Sequence, residues 1–404
     1  MQLFYIFLLL ISKLESIYEP ENAIRIEVNT GNSKPISVFI VSTADLKNFK
    51  DSLQYNLEKC KRFKVIQNKS KSSYNIIIKK EFIDDQEKTS IEVFDVQENR
   101  AIKKFFVKNI QPENFLKICD LIYKILTHEE GIFRNKLILA IASEPNKCEL
   151  FSIKSNLTDF KKICDEKINN LQDLFLCDNK IFLCKFTKED KAFSIMFFDP
   201  IDKNFYNVFT IKSASVYAPA VYDREIYIAV TDHDTTGIFK QPFTGSKTYN
   251  SFEDFLKDPT VTTVTSIKGK IATAPTANQG KIAFCADYEG APSIYLYPNR
   301  KISSSEGSYF DPALKDSSLA AIKIYKGEFY LVLINLKNGI EKTLVKKYFI
   351  ARPTWSPCGN WIAVSCRDKG KKDVILLVHK TGKYIMTIQT NHKIKNIIWM
   401  KEDN

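Results

Sequence analysis

From Ile24 onward, apolar and polar residues alternate in short runs, and two stretches interrupt that rhythm with helical spacing. Ile24-Arg25-Ile26-Glu27-Val28 alternates as a strand does, and Pro35 to Val41 supplies a second. Between Asp45 and Cys60 the residues Leu46, Phe49, Leu53 and Leu57 fall on one helical face, with Ser42 or Thr43 placed to cap it. Strands follow at Phe63–Ile66, Tyr74–Phe82, Ser90–Val96 and Ala101–Val107. Pro112 sits where a helix can begin, because a first-turn residue has no amide bond to lose. Phe115, Ile118, Cys119, Ile122 and Ile125 then build an apolar face up to Thr127. Residues 24 to 127 read as one α/β unit.

From Lys136 the texture changes. No amphipathic helix of ordinary length follows, and short apolar strands recur between Gly, Asp, Asn and Pro. A run of about 270 such residues is a large sandwich, a barrel or a propeller. Periodicity decides. Ala218-Pro219-Ala220, Ala274-Pro275-Thr276, Asp311-Pro312-Ala313 and Arg352-Pro353-Thr354 each precede an apolar strand, a turn and a second apolar strand. A proline opening an innermost strand has no ladder bond to lose, and a single blade cannot bury both of its faces, so blades stack around an axis. An insertion from Thr244 to Pro259 separates the first two anchors. Two further blades use Leu171–Leu176, Lys180–Phe186 and Phe193–Phe198, and then Lys136–Ala142 with Glu149–Ile153. The latter lacks an inner strand, while Ile394–Trp399 lacks a blade, so their pairing closes a six-bladed ring and removes its free edges. The expected fold class is an α+β N-terminal domain followed by an all-β six-bladed β-propeller, closed by the C-terminal strand. The expected division is 1–16 leader, 17–130 α/β domain and 131–404 propeller.

Composition adds limits. Hydrophobic content of 44% with 26% charged residues argues against disorder across the 404 residues, and 29 Phe with 18 Tyr favour strands. The net charge of +12 comes from lysines spread along the chain, as at Lys69–Lys71 and Lys369–Lys372. No aromatic-interleaved basic stripe is present, so no nucleic-acid partner is expected. Leu3–Ile11 has the length of a signal-peptide core and falls short of the roughly 20 residues that span a bilayer. No basic residue precedes it, and Leu14-x-Ser16 is a weak cleavage site. Cleavage there starts the mature chain near Ile17 and leaves no membrane insertion. The nine cysteines form no C-x-x-C pair and sit mostly in apolar runs, as small buried hydrophobes do.

No catalytic pattern emerges: no G-x-S-x-G, no phosphate-binding glycine run and no H-E-x-x-H. Asp232-His233-Asp234 lacks the acidic ligands that complete a calcium loop and reads as a solvated turn. No metal and no cofactor are expected. The chemistry offered is an interaction surface. Loops entering the innermost strands converge at one mouth of the channel and bring Ser215, Tyr217, Lys270, Thr273, Tyr309, Phe310, Phe349 and Arg352. These include the aromatic and arginine types enriched at binding hot spots.

Trp355-Ser356-Pro357-Cys358-Gly359-Asn360-Trp361-Ile362-Ala363 resembles the W-S-P-D-G-x-x-I-A blade signature of the TolB family, with Cys358 in place of Asp. Lys281–Tyr295 resembles its K-I-A-F-x-S-D-R-D-G-x-P-x-I-Y continuation. Ile122–Leu137 resembles the family's domain junction, and Ile24–Val41 its mature N-terminus. Asp is missing from most blade turns, and the middle blades match weakly. The resemblance implies a periplasmic, non-enzymatic scaffold of the Tol-Pal system that maintains outer-membrane integrity and constriction during division. It implies Pal lipoprotein docked at the propeller mouth, TolA engaged by the arm Ile17, Tyr18, Glu19, Pro20, Glu21 and Asn22, and other Tol-Pal components nearby. Two alternatives stay open: a propeller with a different protein partner, and a ligand-binding propeller.

Overall fold

Helical spacing in the first third of the chain becomes two helices laid on one face of a mixed sheet. The computed structural model describes residues 25–27, 34–108, 112–156, 158–177, 180–232, 235–243, 245–367, 373–390 and 392–401, with backbone alone at 25–27, 112, 113, 177 and 232. The leader, the arm Ile17–Asn22, His233, Asp234 and the Lys369–Lys372 cluster lie outside the described residues. The sheet runs Phe63–Val65, Ile36–Ser42, Tyr74–Ile83, Gln86–Asp95, Arg100–Val107 in spatial order. Its first three strands are parallel and the remaining pairs antiparallel. Helix Lys47–Lys59 presents Phe49, Leu53 and Leu57, and helix Pro112–Thr127 presents Ile118, Cys119 and Ile122, to Ile76, Ile78, Ile91 and Val93. Thr43 precedes the short 3-10 turn that leads into the first helix but makes no side-chain bond to its amides.

Six more sheets follow, one per blade. Their innermost strands are Ile394–Met400, Leu171–Cys177, Ser215–Tyr222, Ala272–Asn278, Ser308–Lys315 and Phe349–Trp355, for the first to sixth blades. Ile394–Met400 pairs antiparallel with Lys136–Glu144, setting Ile397 opposite Leu139. Residues Lys247–Tyr249 of the insertion pair in parallel with Phe205–Lys212, adding a fifth strand to the second blade. The six-residue helix Phe252–Lys257, capped by Ser251, buries Phe255 against Phe209, Tyr249 and Phe239.

Two sequence expectations are corrected. Arg25–Glu27 does not join the N-terminal sheet; it pairs with Ile385–Gln389 as the outermost strand of the sixth blade. Alternation marks a strand but does not name its neighbour. The anchor prolines do not open the inner strands either. Each sits within one, at a bulge where the register shifts: Tyr217/Ala220, Thr273/Thr276, Phe310/Ala313 and Ala351/Thr354. The residue before each proline is left-handed, with φ of 41° at Ala218, 50° at Ala274, 48° at Asp311 and 53° at Arg352. Two residues face one across such a bulge, so the proline occupies a position that needs no amide.

The two parts share one apolar core, in which Ile122 and Phe133 meet Trp361, Leu377 and Trp399. The junction shows why Gly131 is needed, since a Cβ there would lie 2.7 Å from Asp120 Cα. Asp120 in turn accepts from Phe133 N at 2.8 Å and Arg134 Nε at 3.1 Å. A polar knot closes the interface. Arg62 donates to Tyr123 Oη at 2.7 Å and pairs with Glu129, whose Oε2 lies 3.0 Å from His379 Nε2. Asn156 Nδ2 donates to Asn56 Oδ1 at 2.7 Å. Burial pushes the His379 imidazole down, with Glu129 opposing. Burial alone would raise the Glu129 carboxyl, but the His379 hydrogen bond and the Arg62 charge bring it to about 2.

Because Glu129 ionises more readily folded than its ordinary 4.5, its contribution is complete above that value and is lost as pH falls towards about 2. Glu129→Gln is expected to lower unfolding free energy at neutral pH. The gap between wild type and variant should narrow on acidification through that window, as read by denaturant titration of tryptophan fluorescence.

Candidate interaction site at the propeller mouth

Six inner strands leave an axial channel of about 340 Å³. Its walls carry the bulged prolines Pro219, Pro275, Pro312 and Pro353, with Asp173, Asp311, Arg352 and Asn396 supplying its polar and charged groups. The left-handed turn at Arg352 directs its side chain across the axis. Nη1 donates to Asp173 Oδ1 at 2.7 Å and Nη2 to the Gln172 carbonyl at 3.1 Å. The Asn396 side-chain amide donates to the same Asp173 oxygen. Arg352 N donates to Asp311 Oδ2 at 3.1 Å, while burial pushes the Asp311 carboxyl up. Blades one, two, five and six are thereby tied together at one point.

Tyr217 is 42% exposed, its ring centroid 6.4 Å from that of Phe193. Phe349 is 39% exposed, resting on Phe329 with the Arg367 guanidinium over its ring. Ser215, Thr273 and Phe310 are half-buried. Lys270 is half-buried too, and its backbone carbonyl accepts from Thr236 N at 3.1 Å. Arg352 is committed to Asp173, with 37% of its side chain exposed.

Tyr309 is a correction. It is fully buried between blades, its hydroxyl donating to Glu341 Oε2 at 2.6 Å and the Lys323 ammonium lying 5.3 Å from its ring centre. Counting back from each anchor proline explains this. The third residue before it is buried in all four repeats, namely Val216, Ala272, Tyr309 and Ile350, whereas the second is open at Tyr217 and half-open at Phe310. That parity was present in the repeat. Ile271 and Tyr348 were missed, and both are exposed beside residues that were chosen. Asp173 was missed as well, although it is the one acidic residue of the strand Leu171–Cys177.

Among the described residues, no group of three or more His, Cys, Asp or Glu is arranged to hold a metal ion. None of the eight cysteines with described side chains is in a disulfide, and burial pushes Cys60 and Cys285 up to about 12.

Fold and site define a six-bladed β-propeller bearing an N-terminal α/β unit, with an aromatic-rimmed mouth. That fold is shared with TolB from Acinetobacter baumannii, at TM-score 0.74 and 15% identity over 94% of this chain and 100% of that one. A TolB candidate from Agrobacterium tumefaciens aligns at TM-score 0.48 and 10% identity, covering 67% of this chain and 98% of that one. A chain of a nidogen/laminin complex aligns at 0.46 and 12%, covering 66% and 98%. No family model matches the chain. No curated protein matches it.

Tyr309→Ala is expected to lower unfolding free energy by on the order of 3 kcal/mol. Tyr217→Ala should change it by less than about 1 kcal/mol. In a double-mutant cycle, Asp173→Ala and Arg352→Ala should be non-additive, because each removes the other's partner. Chemical denaturation reads all of these.

Proposed function

We propose that this chain is an exported adaptor of the TolB type, acting in the periplasm, whose propeller mouth binds the lipoprotein Pal and whose N-terminal region engages TolA. The observation that carries this reading is the alignment with TolB across both parts of the chain, in the same order, at TM-score 0.74. A blade signature supports it. The turn at Ser356–Asn360 keeps its form without the usual aspartate, because Ser356 Oγ accepts from Trp361 N at 3.0 Å and Gly359 takes φ of 68°. We read the pairing of Ile394–Met400 with Lys136–Glu144 as the clasp that closes the ring. Among the described residues no helix is long and apolar enough to cross a membrane.

An adaptor also suits the chemistry of the channel. Its charged groups are engaged with one another and offer no nucleophile beside a base. Tyr217, Ile271, Tyr348 and Phe349 form the accessible apolar rim, and a rim of aromatic anchors around a polar centre is a frequent arrangement for binding protein. In this role the protein helps maintain the outer membrane and its constriction during division.

Purified Pal from the source organism is expected to bind the full chain, and joint substitution of Tyr217 and Phe349 by Ala to weaken binding by more than about tenfold without loss of folding. Deletion of Ile17–Asn22 is expected to abolish TolA binding and spare Pal. Calorimetry showing no interaction with Pal would sink the reading.

A further inference from the structure

The N-terminal sheet ends in an uncovered strand. Arg100–Val107 pairs with Gln86–Asp95 on one side and, among the described residues, with nothing on the other. A register shift between Val93 and Phe94 leaves Ile102 without a partner in the ladder, so Lys103–Val107 is the straight part of the edge, about 16 Å long. Phe105 and Val107 turn towards the Pro112–Thr127 helix and pack on the core, while Phe106 is 44% exposed on the opposite face. Beside the edge runs a groove of about 440 Å³, floored by Phe105, Val107, Ile118 and Leu121 and flanked by Lys108 and Lys117.

Charge selects the occupant. Lys104 is neutralised by Glu81, whose carboxylate it meets at 2.7 Å. Lys103 and Lys117 are exposed, Lys108 likewise, and none of the three has a carboxylate within ion-pair distance among the described residues. Lysines on an edge repel another basic strand, which is how proteins prevent edge-to-edge self-association. A second copy of this chain would oppose lysine to lysine. An acidic strand would meet complementary charge, find unpaired backbone groups, and place alternate side chains in the groove.

We propose that the edge Lys103–Val107, with the groove beside the Pro112–Thr127 helix, is a second docking site that accepts an extended acidic segment of another protein as a sixth strand. The site lies in the N-terminal unit and does not depend on the reading of the propeller mouth.

The probe is a fluorescein-labelled peptide, acetyl-Glu-Val-Glu-Phe-Glu-Val-Glu-amide, titrated with the full chain and followed by anisotropy. Two N-methylated forms, one at the three apolar residues and one at the two interior glutamates of the peptide, block opposite edges of the same strand. Binding is expected, with one methylated form inactive and the other active, since an added strand uses a single edge. Lys103→Glu with Lys117→Glu is expected to weaken binding about tenfold, while Tyr217→Ala leaves it unchanged. Circular dichroism confirms that the exposed-lysine variant is folded. Equal affinity of both methylated forms, or of the charge-reversed variant, would overturn the proposal. So would sedimentation showing a dimer that the lysine reversal dissolves or reshapes, which would assign the edge to a second copy.

Discussion

The architecture rests on one constraint: a blade has two apolar faces and can bury both only between two neighbours. Strand Asp373–His379 is buried at six successive positions after its first, and Trp361–Arg367 is nearly as enclosed. Strands of that kind have no solvent side to turn outward. The sheets must therefore stack around an axis, and stacking forces the inner strands to converge where there is least room. Small residues and prolines line that convergence, as at Ala218-Pro219-Ala220 and Ala274-Pro275.

Convergence also accounts for the strained backbone. A non-glycine residue in the left-handed region costs about 1–2 kcal/mol, and four successive blades accept it at the same point. In two of them the strained residue is alanine and serves the bulge alone. In the other two it is Asp311 and Arg352, and there the bulge sets polar groups across the axis, where they bond to each other and to Asp173. One backbone device thus both fits the strand into the channel and assembles the polar group at its mouth.

Local periodicity made much of this legible. The helix faces at Phe49, Leu53 and Leu57 and at Ile118 and Ile122 read directly, and the proline repeats located the inner strands of four blades. What failed was anything that depends on which elements meet. Arg25–Glu27 alternates like any edge strand, and nothing in three residues indicates that its neighbour is Ile385–Gln389. Asp173 and Arg352 are 179 residues apart and meet only because the ring sets blades two and six on either side of blade one. Tyr309 and Tyr217 look alike as mouth aromatics, yet one lies inside and the other outside. Their distances from the proline differ by one residue, and a one-residue step in a strand reverses its face.

The pairing of Ile397 with Leu139 has a consequence in time. The first blade is translated early, but its innermost strand comes more than two hundred residues later. Until Ile394–Met400 emerges, Lys136–Glu144 lacks the strand that pairs with its inner edge. A long interval of that kind exposes a newly made chain to aggregation. Chaperone occupancy of that edge during synthesis would therefore shape how much of the protein reaches its folded state, independently of how stable that state is.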